Sequence, residues 1–184
     1  MREKLLAEVA LYEPAGTRER EMLERLRAFV AANPDCFERT LAIGHVTGSA
    51  WVVDRDREAV LLTHHRKLDR WLQLGGHADG DGDIRRVALR EAVEESGLED
   101  IVLAQDGIYD IDVHEIPARG SEPAHLHYDV RFAFYADRGT APVVSGESHE
   151  VAWVPLADLP AFGVDESVLR LAKKTTALPA ICRP

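Results

Sequence analysis

The most specific chemical signal in the 184-residue sequence is a set of three glutamates, Glu91, Glu94 and Glu95. On a helix these positions are i, i+3 and i+4, which places three carboxylates on neighbouring surface sites. Like charges at that spacing cost a few tenths of a kcal/mol per pair, roughly, so the cluster needs solvent or a counter-charge. A hard divalent cation supplies one, because magnesium-like ions take a few carboxylate oxygens together with water and substrate phosphate oxygens. Arg90, four residues before Glu94, stands where it can hold one carboxylate in place. The surrounding segment is strongly acidic: residues 78 to 120 hold twelve acidic side chains against four basic ones. A solvated surface is the competing explanation for such a run.

Further candidates lie outside that helix. His64, His65, Arg66 and Lys67 follow a strand-like run and form either a charged turn or a phosphate contact. Trp71 is suited to stacking on a base, or else to the core. Asp112, His114, His127 and Asp129 fall on one face of two alternating segments and are ligand-type side chains. Alternation alone favours reading them as an exposed sheet face.

Several elements must position these groups. Leu5, Leu6 and Val9, then Met22, Leu23, Leu26, Phe29 and Val30, recur at helical spacing, with a break at Pro14-Ala15-Gly16. The pattern predicts two helices within residues 1 to 33, with Thr17 as the N-cap of the second and Asn33-Pro34 at its end. Their apolar faces pack on a core or on a second copy in a homodimer. Short β-like runs follow at Ser49–Val53, Ala59–Thr63 and Trp71–Leu74, the first two joined as a hairpin through the charged tip Asp54–Glu58. A Gly- and Asp-rich loop, Gly75 to Asp83, leads into a helix over Ile84–Ser96 that Gly97 ends as a C′ residue. Ile108–Ile116 and Leu126–Ala136 alternate cleanly and read as antiparallel neighbours. A short strand Val151–Val154 and a helix near Asp165–Lys174 complete the chain. Strands and helices without regular βαβ alternation predict an α+β fold.

Composition bounds the function. With 46% hydrophobic and 29% charged residues the chain is globular, and its length suits one domain with a sizeable core. A formal charge of −10 disfavours general binding to nucleic acid or to an anionic membrane. Apolar runs fall far short of the roughly 20 residues needed to cross a bilayer, and Met-Arg-Glu-Lys is no signal-peptide start. The expectation is a cytoplasmic protein. Cys36 and Cys182 are too few for a disulfide framework or a cysteine zinc site.

The segment from Gly76 to Leu98 resembles the signature of the Nudix hydrolases. That signature runs Gly, five residues, Glu, seven residues, Arg-Glu, an aliphatic, any residue, Glu-Glu, any residue, Gly, aliphatic. Gly76, Arg90, Glu91, Glu94, Glu95, Gly97 and Leu98 match in register. The first Glu of the pattern falls on Gly82, flanked by Asp81 and Asp83, and Ala92 stands for the larger aliphatic. Glu150-Val-Ala-Trp153-Val-Pro155-Leu156 resembles the family's closing strand, so the likeness spans roughly residues 40 to 174.

The resemblance implies a mixed β-sheet sandwiched between helices, with an N-terminal helical extension over 1–36 and a Nudix-like domain over 37–184. It implies hydrolysis of a nucleoside diphosphate linked to another moiety, with Mg2+ or Mn2+. Carried over by position, the Gly76 carbonyl, Glu94 and Glu95 are metal ligands, Glu91 is a ligand or the base, and Arg90 is the orienting ion-pair partner. Family members draw another carboxylate from a late loop, which here points to Glu147 first and Glu150 second. His64, Lys67, Trp71, His77, His127 and Arg131 are the expected substrate contacts, and the partner is a small nucleotide-like molecule. Either Asp81 or Asp83 serves in place of the missing Glu, or the metal site is weaker.

Two rival functions are set against this reading. Isopentenyl diphosphate isomerase resembles the chain in Gly76-His77, yet uses a Cys where this sequence has Gly75. A non-catalytic nucleotide-binding or regulatory module on the same fold is consistent with Gly82, but has no need of the complete glutamate set.

Overall fold

The computed structural model describes residues 1–120, 123–144, 146 and 148–180. Its elements run α1 (Arg2–Leu11), α2 (Thr17–Ala32), β1 (Gly44–Asp54), β2 (Ala59–His65), β3 (Arg70–His77), α3 (Ile84–Ser96), β4 (Val102–Leu103), β5 (Asp110–Ile116), β6 (His125–Ala136), β7 (Ser148–Pro155) and α4 (Glu166–Lys174). The strands form one mixed, open sheet of seven, in the order β4-β6-β1-β3-β2-β7 with β5 on β6. This is the α+β arrangement expected. The two-residue strand β4 was too short to announce itself by periodicity. By their internal contacts the residues group into two compact units.

The first unit comprises Met1–Ser49, Gly76–Ala88 and Gly107–Phe132. Met22, Leu26, Phe29 and Val30 make one buried stripe on α2, and Phe29 stacks on Tyr128 with ring centroids 3.9 Å apart. The cap of α2 departs from expectation. Gly16, not Thr17, is its N-cap, and no side chain caps it. Glu19 instead reaches back, accepting hydrogen bonds from the Ala15 N–H (3.0 Å) and the Tyr12 hydroxyl (2.8 Å), so a buried carboxylate closes the turn between the helices. Cys36 is fully buried next to β1, its carbonyl accepting the Val46 N–H at 2.7 Å, and burial pushes its thiol up to about 11.

β5 and β6 pair antiparallel, with Asp112 opposite Asp129 and His114 opposite His127. Their polar face is where the sequence reading needs its largest correction. Asp110, Asp112, Asp129 and Arg131 are buried, none more than 4% exposed, not an open sheet face. Arg131 is the hub: Nε donates to Asp129 at 2.7 Å, and its terminal nitrogens lie 3.3 Å from Asp110 and 3.5 Å from Asp112. Burial alone would lower the guanidinium's pKa, but Asp129, Asp112 and Asp110 outweigh it and hold it raised. Thr47 and Ser49 hydroxyls satisfy the other Asp129 oxygen at 3.0 and 2.8 Å. Alternation reports which residues share a face, not whether charge pairing lets that face be covered.

The second unit comprises Ala50–Gly75, Leu89–Asp106 and Ala133–Pro184, of which residues up to 180 are described. β2 pairs antiparallel with β3 and with β7, the latter setting Val60 opposite Val154 and His64 opposite Glu150. Asp54 Oδ1 accepts the N–H groups of Glu58 (2.7 Å) and Ala59 (3.0 Å), which shapes the β1–β2 turn. Asp165 caps α4 by accepting from the Ser167 and Val168 N–H groups. Trp51, buried, donates its indole N–H to Thr175 at 2.9 Å.

Candidate active site

α3 spans the residues predicted, and Gly97 follows with φ +67°, the left-handed conformation that glycine supplies at C′. The three glutamates on its last two turns differ in surroundings. Glu94 is exposed. Glu91 is half-buried, and its carboxylate lies 2.6 Å from Arg90 Nη2. Glu95 is 7% exposed and accepts the Gly75 N–H at 2.9 Å through one oxygen. Arg90 thus pairs with its neighbour Glu91. The Glu95 bond fixes α3 to the end of β3, one residue before Gly76. Gly76 itself is half-buried in β3.

The donor set fits a hard cation. All three groups are carboxylates, one open to solvent and two oriented by a neighbouring N–H donor, and Mg2+ or Mn2+ is served by oxygen ligands that leave room for water and phosphate. The loop before the helix tells a different story from the one its aspartates suggest. Asp81 holds Arg86 through two contacts of 2.9 and 2.7 Å, and Asp83 is paired with Lys4 at 2.7 Å. The Lys4 hydrogen bond is the main reason the Asp83 carboxyl sits below its ordinary range. Both carboxylates are therefore engaged by cations. Gly82 is buried, and a Cβ there would come within 2.4 Å of Met1 Cβ and 3.2 Å of the Phe37 ring. Glycine stands where the signature has Glu because the start of α1 and Phe37 fill the side chain's space.

In the second unit, His64 stacks on Trp71 with centroids 5.2 Å apart at 13°, and Phe162 meets Trp71 edge-on at 5.3 Å. His64 Nε2 lies 3.1 Å from Asp69, and His149 approaches the same ring at 5.4 Å. Trp71 is half-buried, so it is neither a core residue nor a free platform. Lys67 is exposed in the turn after β2, and Glu150 is exposed on β7. Glu147 and Cys182 lie outside the described residues.

The remaining candidates fall in the first unit. His77 and His127 meet edge to face at 5.3 Å. Arg131, expected on substrate, is 1% exposed and surrounded by the carboxylates described above, so its charge is already matched inside the fold. Two residues that the sequence reading passed over join the histidines: His45 from β1 and His125 from β6. The His125-Leu-His127 alternation was a usable signal for the second; nothing near His45 in the sequence marks it. Burial first, and then the neighbouring histidines, depress these imidazoles, His45 to about 4 and His127 to about 2.

Comparison with known proteins agrees with the geometry. The NUDIX domain family model matches residues 45–173. Among solved structures, the Nudix hydrolase RenU from M. smegmatis superposes with a TM-score of 0.58 at 20% identity, covering 76% of this chain and 91% of its own. A NUDIX family hydrolase from Clostridium perfringens gives 0.51 at 23% identity, with 72% and 96% covered. The E. coli dihydroneopterin triphosphate pyrophosphohydrolase gives 0.53 at 16%, with 70% and 92% covered. At such identities these likenesses establish the fold. No curated protein matches this sequence. The chain belongs to the NUDIX domain family.

Proposed function

We propose that this chain hydrolyses a diphosphate bond in a nucleoside diphosphate linked to another moiety, using Mg2+ or Mn2+. The observation that carries the reading is the graded glutamate set on α3: Glu94 open, Glu91 held by Arg90, Glu95 held by the Gly75 N–H. A non-catalytic module has no reason to keep three mutually repelling carboxylates oriented in this way.

The Gly76 carbonyl, Glu91, Glu94 and Glu95 are the residues that would hold the metal. A bound divalent cation neutralises charge on phosphoryl oxygens and lowers the pKa of water. The protein's part is to keep those carboxylates aimed. Arg90 holds Glu91 through its guanidinium, and the Gly75 N–H holds Glu95. A further carboxylate removes the proton from the attacking water as a phosphorus–oxygen bond forms and the anhydride bond breaks. We assign that role to Glu147, with Glu150 and Glu91 as the competing positions. His64 and Trp71, stacked on each other, offer a flat half-buried surface for a base, and Lys67 an exposed cation for a phosphate. Arg131 and His127 are kept out of the substrate set, the first because its charge is already paired inside the fold and the second because burial holds its pKa low, while His77 stays a candidate contact.

The net charge of −10 supports a small anionic substrate taken up with its metal, in preference to nucleic acid or a membrane surface. No helix among the described residues is long and apolar enough to cross a membrane. The cytoplasm is the compartment this reading assigns, residues 1–36 are read as a helical extension of a domain over 37–184, and a homodimer is a further reading for the apolar helix faces. The test is turnover of a panel of nucleoside diphosphate derivatives with Mg2+ or Mn2+, scored by released nucleoside monophosphate or phosphate. Turnover that disappears on chelation supports the assignment. Stoichiometric binding of those compounds without turnover on any would replace it with the binding-module reading.

A further inference from the structure

The first unit contains a second group of ligand-type side chains, of another chemical kind. His45, His77 and His127 come from three different strands, and one ring nitrogen of each lies within 4.8 Å of the other two. The ring centroids are 5.0 Å (His45–His77), 4.8 Å (His45–His127) and 5.3 Å (His77–His127) apart. His45 is 2% exposed, and neither of its nitrogens has a hydrogen-bond partner; the same is true of Nε2 of His127.

That pattern is expensive as it stands. A buried polar atom left unsatisfied costs about 1–3 kcal/mol, and three such atoms fall here on two adjoining rings, so the cluster calls for an explanation. Mutual hydrogen bonding does not relieve it, because the rings share no such bond among these atoms. Imidazole nitrogens without a hydrogen-bond partner are the donors a transition-metal ion takes.

The flanking groups are arranged as support. His125 places Nδ1 2.9 Å from the Pro123 carbonyl, and His114 places Nδ1 3.0 Å from Asp112. Both contacts engage Nδ1 and orient the ring. His125 stands 5.1 Å from the His45 ring and 5.2 Å from the His127 ring. Tetrahedral zinc with bonds of about 2.0–2.1 Å brings its nitrogens to roughly 3.3 Å of one another. Donors within 4.8 Å therefore need only modest inward rotation.

We propose that His45, His77 and His127 form a binding site for a transition-metal ion of the zinc type, with a donor set distinct from the α3 glutamates. Imidazole suits zinc, copper, nickel and iron, whereas magnesium and calcium are held by oxygen, so the two sets select different metals. Three histidines leave a fourth coordination position for water or for His125.

Cobalt(II) titration of the metal-stripped full-length chain is the test, read by visible absorption. One equivalent is taken up with the intense d–d bands of a four- or five-coordinate site. Equimolar Zn2+ removes the bands, and millimolar Mg2+ leaves them. His77→Gln, on the half-exposed ring, weakens binding about 10-fold or more, as does His127→Gln, while Glu94→Gln leaves the spectrum unchanged. Circular dichroism of each variant checks that it is folded, and the His77 variant serves if the fully buried positions do not tolerate change. No uptake at micromolar Co2+ or Zn2+, or uptake equally strong in both histidine variants, overturns the proposal.

Discussion

The glutamate turns of α3 and the histidine and arginine face built by β1, β3, β5 and β6 solve opposite electrostatic problems. On α3 the charges are alike, adjacent in sequence and graded from exposed Glu94 to buried Glu95, and the proposed function gives them a cation as their counter-charge. On the strands, the charges of Arg131 and its three carboxylates are matched inside the fold, beside a cluster of histidines. The difference teaches how to tell a working charge from a structural one. Arg131 and Glu91 are both ionic and withdrawn from water, but Arg131 is encircled by side chains of the fold, while Glu91 is held by one arginine on an exposed turn.

The largest effect is expected on the glutamate side. Removing a general base lowers the rate about 10²–10⁴-fold with binding nearly intact. Glu147→Gln should therefore lower kcat in a way that excess Mn2+ does not restore and higher pH partly does. Glu94→Gln and Glu95→Gln should shift the metal dependence to higher concentration and recover in part with excess metal. Full activity in Glu147→Gln, with the unrescued loss in Glu150→Gln or Glu91→Gln, transfers the base to that residue.

On the strand side the readout is stability. Arg131→Met strands three carboxylates in the interior, and breaking such a buried set costs about 3–5 kcal/mol. Urea unfolding should show that loss; a change below about 1 kcal/mol would mean the carboxylates are solvated and the contrast drawn above is false.

A smaller loss is expected where the two themes touch, at the box loop. Gly82→Glu restores the signature but must displace Met1 and Phe37, and overpacking of that kind costs about 1–3 kcal/mol. Thermal melting should fall with no tightening of the metal dependence. A variant that melts as the parent and turns over at lower Mn2+ would show that the loop, not the packing, had kept glutamate out.

Lys4→Met tests the least. An exposed ion pair contributes at most about 1 kcal/mol, so stability at pH 7 should hardly move. Because Lys4 depresses Asp83, the pair's small contribution is present above the ordinary aspartate range and lost as pH falls through the depressed value. The variant should lose less stability than the parent between about pH 5 and pH 2 in acid titrations monitored by circular dichroism. If it also binds Mn2+ more tightly, Asp83 is the stand-in for the missing Glu after all.

What the sequence made legible follows from what is local. α3, its Gly97 stop and the pairing of β5 with β6 are set by spacing within a dozen residues, and the Glu-rich signature sits wholly on such a stretch. The α2 cap was misplaced because the helix begins after Gly16, and Glu19, buried against Tyr12 and Ala15, holds the preceding turn in place of a capping side chain at Thr17. Arg131 was misread because a period of two cannot report that Asp110, Asp112 and Asp129 meet it in space. His45 could not be found, since every partner that gives it meaning arrives from a distant strand.

Cys36 turns one packing detail into a clock. Its thiol is sealed from solvent, and at about 11 only roughly one part in 10⁴ would be thiolate at pH 7. An alkylating reagent can reach it only in molecules whose first unit has momentarily opened. In a Cys182→Ser background, the labelling rate therefore counts openings of that unit under native conditions, residue by residue unaltered elsewhere. Zinc added to such an assay would slow the clock by the factor with which it favours the closed form, reporting occupancy of the histidines through a sulfur that takes no part in holding the ion.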